Sequence, residues 1–473
     1  MGTISAAFYL VTGALEADQS ALNVVANNVA NANTPGYTRE VANWSENTPV
    51  EINGISYGTG VSQTGPTSVR DRVLEERLAQ QQQAASGSSA RLAALESVQG
   101  LFTPASGSSN TTAGDIGSDI TGLFNSFASL EANPTDTSLR SQVLATARRL
   151  AGDVSNAAAS LNQQRTSLDQ QAGSITSQVN SLAAAIAKLN LEIGGSSPNG
   201  DAGSLEDERQ LDISKLSQLI GINQIRTENN GISITATTGE MLVSEGTSYA
   251  ISTGLVNGMT DFFLGGKDIT TGLAEGGGEL GGLLTVRDED IPRVLSQLDQ
   301  LAYGLSTQVN ALNNAGTDMN GNTGTVVDPL YIFTEPAAVA GSAAKMNVAM
   351  MDPSKVAAAA AGQGRGDNAN AVALSGLRNL SIVAGLTPSG FYSSFITNLG
   401  ATVAQVRIEN TAQSASVTQL QTARSALSGV NLNDEAAFMQ QFERSYQAAS
   451  QIFAILNKIM ASAINLGEQT TVA

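Results

Sequence analysis

Cysteine and histidine are both absent from this 473-residue chain. The first absence removes disulfides, thiolate metal sites and cysteine nucleophiles. The second removes imidazole acid–base chemistry and the commonest metal ligand. Aromatic residues are scarce, at one Trp, eight Tyr and twelve Phe, whereas apolar residues as a whole reach 41%. Long helices rich in Ala and Leu bury narrow seams and need few rings, so this balance points toward helical packing rather than a ring-filled enzyme core. Basic residues are also few. With 24 Lys and Arg against 42 Asp and Glu, the formal charge is −18, which speaks against a nucleic-acid or anionic membrane partner. No run of 18 apolar residues is present, so no membrane span is expected. The N-terminus lacks the basic and apolar regions of a cleaved secretory signal, so none is expected there.

What is present is most distinctive at the two ends. Ile4, Phe8, Val11, Leu15, Leu22, Val25 and Val29 recur in steps of three and four, and so do Phe438, Phe442, Ala449, Ile452, Leu456, Ile459, Ala463 and Leu466. Such spacing lays apolar side chains along one face of a helix. Each end reads as an amphipathic helix requiring a partner. Tyr446, Phe453 and Met460 widen the C-terminal stripe, as expected of a helix with more than one neighbour. Asp18 interrupts the N-terminal seam, either as a register-setting polar group or as a residue facing a wetter part of an assembly.

Between the ends, helices are predicted over about 69–100, 116–132, 135–193, 204–220, 291–312, 391–428 and 434–467. Val154, Leu161, Leu168, Ile175, Leu182 and Leu189 are spaced by sevens, a coiled-coil pattern. Residues 38–68 read as irregular or weakly β, and 313–370 as loop-rich. Within 222–285, Ile232, Ile234 and Ala236 alternate with Ser233 and Thr235, as in a half-buried strand. The expected fold is mainly α: N- and C-terminal helices paired as a coiled-coil-like rod, a long helical bundle, and a small inserted β-rich domain. The expected domains are 1–68 with 430–473, then 69–221 with 286–429 including a loop-rich 313–390, and the insertion at 222–285.

The segment Ala21 to Tyr37, which contains Asn27, Asn28, Asn31, Asn33 and then Thr34-Pro35-Gly36-Tyr37, resembles the N-terminal signature of the bacterial flagellar axial proteins, the family of rod, hook and hook-associated subunits. Thr38-Arg39-Glu40 narrows the likeness to the hook-associated branch. Three further stretches are similar to that branch: Gly278 to Leu284 followed by Arg287-Asp288, Val309-Asn310-Ala311 through Gly321, and Ser428 to Glu435 followed by Tyr446 to Ala449. Gln441-Phe442-Glu443-Arg444 departs from the family pattern, and the β insertion is short.

The resemblance implies a structural role without cofactor or catalysis. It implies a ring of identical copies at the junction between hook and filament, in contact with the hook protein and a second junction protein. It also implies an export chaperone on the C-terminal helix, and delivery to the extracellular flagellum without a cleaved signal. The candidate interface residues are Ile4, Phe8, Leu15, Leu22, Val25, Asn27, Asn28, Asn31, Pro35, Gly36 and Tyr37 near one end, with Phe442, Tyr446, Ile452, Phe453, Leu456 and Ile459 near the other. The asparagines are either an inter-subunit hydrogen-bonding cluster or an ordinary helix exit. Another axial component remains an open alternative. So does a surface adhesin or enzyme on an axial scaffold, although the missing His and Cys count against it.

Two other groupings receive plainer readings. Asp318-Met319-Asn320-Gly321-Asn322 lacks the Gly and Glu that a calcium loop needs at its sixth and twelfth positions, and reads as an Asx-rich turn. Glu206-Asp207-Glu208 and Asp288-Glu289-Asp290 read as acidic helix starts rather than paired catalytic carboxylates.

Overall fold

A computed structural model describes residues 2–52, 54–102, 115–197 and 201–468. The chain divides into two compact units: Met1–Gln83 with Gln178–Ile251 and Gln413–Ala473, and Ala84–Ser177 with Ser252–Ala412. Twelve α-helices and thirteen strands are assigned among the described residues, and the fold is mainly α.

The first unit begins with α1 (Gly2–Asn31) and a ribbon of six short strands: β1 (Glu40–Val41), β2 (Trp44–Glu46), β3 (Val50–Ile52), β4 (Ile55–Tyr57), β5 (Val61–Gln63) and β6 (Thr67–Ser68). Their pairing is nested, β1 with β6, β2 with β5 and β3 with β4, all antiparallel. The weakly β character of 38–68 thus resolves into one interrupted hairpin lying against α1. Contact there is close: a Cβ on Gly13 would stand 3.1 Å from the Val61 carbonyl oxygen.

The chain continues into α2 (Arg72–Gly100), α3 (Ile116–Ala132), α4 (Thr137–Ser196) and α5 (Ser204–Leu219). A four-stranded antiparallel sheet follows, made of β7 (Ile222–Arg226), β8 (Ile232–Ala236), β9 (Met241–Ser244) and β10 (Thr247–Ser248), in the order β10-β9-β8-β7. The alternation in β8 predicts one wet face, yet Ser233 and Thr235 are buried along with Ile234 and Ala236. Asn190 of α4 anchors this sheet, donating to the carbonyls of Ile232 at 2.7 Å and Glu245 at 2.8 Å. Asn180 does the same for Ile251.

In the second unit, β11 (Ser252–Val256), β12 (Met259–Leu264) and β13 (Lys267–Asp268) form a separate three-stranded sheet. The segment 222–285, expected as one insertion, is therefore two sheets, one in each unit, followed by helix from Thr270. Asn257 and Gly258, at φ 51° and 81°, make the two-residue turn between β11 and β12, the conformation that Asn-Gly accepts most easily. Then come α6 (Thr270–Gly276), α7 (Gly278–Thr285) and α8 (Ile291–Ala315). Between the last two, Val286–Asp290 forms a π turn. Pro292 explains it: proline lacks the N–H and its ring crowds the carbonyl four residues back. Asp288-Glu289-Asp290 consequently lies inside a continuous helical run and not at a helix start. Arg287 there is 1% exposed and is held by Asp288, by Asp169 at 2.5 Å and by the Thr260 carbonyl.

Helices α9 (Ser342–Lys345) and α10 (Ala369–Gly376) punctuate the loop-rich region before α11 (Pro388–Ser428) and α12 (Leu432–Glu468). Buried asparagines order these loops. Asn310 donates to the Phe333 carbonyl at 2.8 Å and accepts from its N–H at 2.9 Å. Asn313 makes the matching pair with Leu330 and Ala357. Each amide supplies what a neighbouring strand would otherwise supply. Of the heptad positions of α4, Val154, Leu161, Leu168, Ile175 and Leu189 are buried as expected and Leu182 is half-buried, while Val179, Ile186 and Ile193 are buried beside them.

Candidate assembly surface

The chain ends meet in the first unit. Helix α1 ends where its sequence ends it. Tyr37 N–H donates to the Thr34 carbonyl at 3.2 Å, and Gly36 takes φ 85°. With Pro35 before it, this is a type II turn. The turn returns the chain along the end of α1, and Asn28 gathers it. Its amide donates to the Glu40 carbonyl at 2.9 Å and to Glu435 Oε2 at 3.1 Å. Its oxygen accepts from Tyr37 Oη at 2.8 Å and from Glu40 N–H at 2.9 Å. Asn28 and Glu435 are each 1% exposed. Burial, followed by the carboxylates of Glu40, Asp207 and Glu435, pushes the Tyr37 hydroxyl well above its ordinary pKa and keeps it a donor.

Start and end are joined a second time through the backbone. Arg39 N–H donates to the Ser428 carbonyl at 2.9 Å, and Arg424 reaches the Gly36 carbonyl at 3.2 Å while pairing with Glu75 at 2.5 Å. Asn431 then caps α12, accepting from Asn433 N–H at 3.0 Å, and Asp434 and Glu435 occupy its first turn, where acidic groups complement the helix dipole.

Along the helix pair, Phe8 meets Phe453 edge-on with ring centroids 5.4 Å apart. Phe442 packs against Trp44 at 5.9 Å. A cavity of about 110 Å³ lies between Val24, Val25, Trp44, Phe438 and Phe442. The shielded positions of α12 are Glu435, Phe442, Ala449, Phe453, Leu456 and Met460, a run of sevens, fours and threes. This corrects the expected seam. Phe453 and Met460 belong to it, whereas Ile452 and Ile459 do not: they stand 50% and 47% exposed, beside Ile455 at 56%. These three share a second face roughly a quarter turn around the helix. On α1, Tyr9 (77%) and Leu10 (43%) are similarly open.

The candidate interface residues therefore separate into two groups. Val25 and Asn28, expected at a subunit surface, turn inward and are fully used within the chain. Gly36 and Tyr37 belong to the same internal turn; Phe8, Leu15 and Leu22 are half-buried beside the helix pair. Asn27, Pro35, Tyr446, Ile452 and Ile459 remain open to solvent, and Asn31 is half-exposed with its amide bonded to Asn27. The side chain of Ile4 lies outside the described residues, as does that of Leu466. Asp18 is buried on α1, and its Oδ2 has no hydrogen-bond partner among the described residues.

Asp318 turns out to be a backbone anchor, its Oδ1 accepting from Asn320 and Asn322 N–H at 2.8 Å each. Among the described residues, no group of three acidic side chains is placed to hold a metal, and no helix is long and apolar enough to cross a membrane.

The terminal helices pair with each other and leave apolar side chains exposed on each. Two family descriptions match: "Flagella basal body rod protein" over residues 8–38 and "Flagellar hook-associated protein FlgK helical domain" over residues 107–327. Relatives named flagellar hook-associated protein 1 align along nearly the whole chain. That of Escherichia coli K12 is 25% identical, covering 96% of this chain and 98% of its own, and that of Bacillus subtilis 168 is 26% identical, covering 96% of each. The solved flagellar hook junction protein FlgK from Burkholderia pseudomallei shares the fold, with a TM-score of 0.63 and 19% identity over 75% of this chain and all of that one. This chain belongs to the flagellar hook-associated protein 1 family. The alignments run over 547 and 510 positions, so the relatives carry residues that this chain lacks.

Proposed function

We propose that the chain is a structural subunit at the junction between flagellar hook and filament, and that filament assembly requires it. The observation carrying this reading is the leftover apolar face of the terminal pair. A monomer would expose Ile452, Ile455 and Ile459 in one row, and neighbouring subunits in an axial tube would cover them. The partners in this reading are further copies of the chain in a ring, the hook protein on one side and a second junction protein on the other. An export chaperone occupies the α12 face before assembly. The chain carries no catalytic role, and it reaches the extracellular flagellum without a cleaved signal.

Deleting the gene and examining cells and medium tests the reading. Hooks without filaments, with flagellin released into the medium, are expected. Missing hooks would assign the chain to a different axial position, and normal filaments would overturn the proposal.

A further inference from the structure

Asparagine followed by glycine is the pair in which a side-chain amide is most open to attack by its own main chain, because glycine puts no Cβ beside the attacking nitrogen. Five such pairs occur in the chain: Asn53-Gly54, Asn199-Gly200, Asn230-Gly231, Asn257-Gly258 and Asn320-Gly321. Residues 53, 199 and 200 lie outside the described residues. The structure separates the other three pairs. At Asn230-Gly231 the side-chain amide donates to Glu206, and the Gly231 N–H donates to the Glu228 carbonyl at 3.1 Å. At Asn320-Gly321 the side-chain amide donates to Ser354 Oγ at 3.2 Å, and the Gly321 N–H donates to the Asp318 carbonyl at 3.2 Å. In both pairs the attacking nitrogen and the amide it would attack are held.

Asn257-Gly258 differs. The pair forms the exposed tip between β11 and β12, just past the pairing of Val256 with Met259. Neither the Asn257 side chain nor the Gly258 N–H has a hydrogen-bond partner among the described residues. Leu255 and Val256 before it are 80% and 41% exposed, so packing does little to hold the tip. The other end of the hairpin is fixed. Thr260 donates to Asp169 through its N–H at 3.0 Å and its Oγ1 at 2.8 Å, its carbonyl accepts from Arg287, and Phe262 is fully buried. The turn is a loosely held tip on a rigid base.

We propose that Asn257 is a site of spontaneous deamidation. The Gly258 nitrogen attacks Asn257 Cγ. An N–Cγ bond forms, the Cγ–Nδ2 bond breaks, and the Gly258 proton leaves with Nδ2 as ammonia. Water then opens the cyclic imide. Opening at Cγ leaves an aspartate. Opening at the main-chain carbonyl leaves an isoaspartate, whose main chain carries an extra methylene. Water is the sole co-reactant, and nothing is oxidised or reduced. Either product adds a negative charge at the tip, and the isoaspartate cannot keep a two-residue turn of this geometry. On the reading that the chain is built into an extracellular structure, the product accumulates with the age of that structure. The site itself does not depend on that reading.

The test uses the purified full chain, held in mildly alkaline buffer made with heavy-oxygen water and sampled over weeks. Cleavage after glutamate isolates Asn257 between Glu245 and Glu275, and places Asn230 and Asn320 in separate peptides. Mass spectrometry then reads the exchange of the amide nitrogen for labelled oxygen at each position. Asn257 is expected to react at least about tenfold faster than Asn230 or Asn320, since those pairs must first break hydrogen bonds that this one lacks. Isoaspartate is expected alongside aspartate, and in concentrated urea the three rates are expected to converge. A native rate at Asn257 no higher than at the other two would overturn the proposal. So would a difference that persists in urea, which would belong to local sequence and not to the turn. Aspartate without isoaspartate would mean direct hydrolysis by water, and would overturn attack by Gly258.

Discussion

Asn28 donates to Glu435 at 3.1 Å across 407 residues of sequence, a buried bond that ties the end of the chain's first helix to the start of its last. All four hydrogen-bonding positions of the Asn28 amide are occupied. Asn28→Ala leaves a buried carboxylate and a buried N–H unsatisfied, and is expected to destabilise the helix pair by about 2–4 kcal/mol. Hydrogen exchange checks this, since protection should fall in α1 and α12 while the second unit keeps its own. Glu435→Gln, which retains the acceptor, should cost about 1 kcal/mol or less. Equal effects of the two substitutions would show that the bond does not hold the ends together.

The two apolar faces of α12 have separable roles. Ile455→Asp or Ile459→Asp changes a solvent-facing position, so folding stability should move by only about 0.5 kcal/mol, while motility and filaments are lost. Phe453→Ala, which removes the ring packed on Phe8, should instead cost about 1–3 kcal/mol, because the position is only half-buried. Thermal melts of purified protein, set beside electron microscopy of cells, separate the cases. Normal filaments in both isoleucine variants would mean that this face has no neighbour. Val25→Asp is unsuitable for this purpose, because Val25 is buried inside the chain and the variant would fail by unfolding.

Local chemistry made much of this legible in the sequence. Thr34-Pro35-Gly36-Tyr37 specifies its turn through proline's fixed φ and glycine's tolerance of a positive one, and the heptads of α4 specify their buried seam. What the sequence withheld depends on distant partners. Steps of three and four fit both faces of α12, and only the position of α1 and the β1–β6 ribbon selects Phe453 over Ile452. Asn28 reads equally well as a helix exit or a subunit contact until Glu435 is brought beside it. A run of short strands at 222–285 carries no mark that its halves belong to different units.

The glycine-rich stretch at 278–284 is explained by a crossing of backbones in the second unit. A Cβ on Gly282 would fall 2.1 Å from the Gly87 carbonyl oxygen, and one on Gly87 would stand 3.1 Å from that of Gly278. Neither obstacle is a flexible side chain, so Gly282→Ala must push α7 away from α2. The expected loss is about 2–4 kcal/mol, read as a lowered denaturation midpoint. Gly100→Ala serves as the control, since a Cβ there meets nothing within 4 Å. Similar midpoints for the two variants would overturn the crossing as the reason for glycine.

Asp119 gives the second unit a pH dependence. It is 8% exposed on α3, its Oδ2 has no hydrogen-bond partner among the described residues, and Tyr392 lies near the same helix end. Burial first, then hydrogen bonding and repulsion from Asp153 and a smaller push from Asp115, raise its pKa to about 7, while Arg149 pulls the other way. The Tyr392 hydroxyl, raised to about 12 by burial and by Asp115 and Asp119, stays neutral throughout. The folded state therefore holds a proton that the unfolded chain releases near pH 4. Between about pH 4 and pH 7 the folded state binds more protons, so stability falls as pH rises across that window and levels off above it. Allowing for screening and for the coupling to Asp153, the change is about 1–2 kcal/mol. Asp119→Asn should flatten this limb and make the protein more stable at pH 8. Denaturant midpoints at pH 5 and pH 8 that shift equally in the variant and the parent chain would show that Asp119 is not the titrating group.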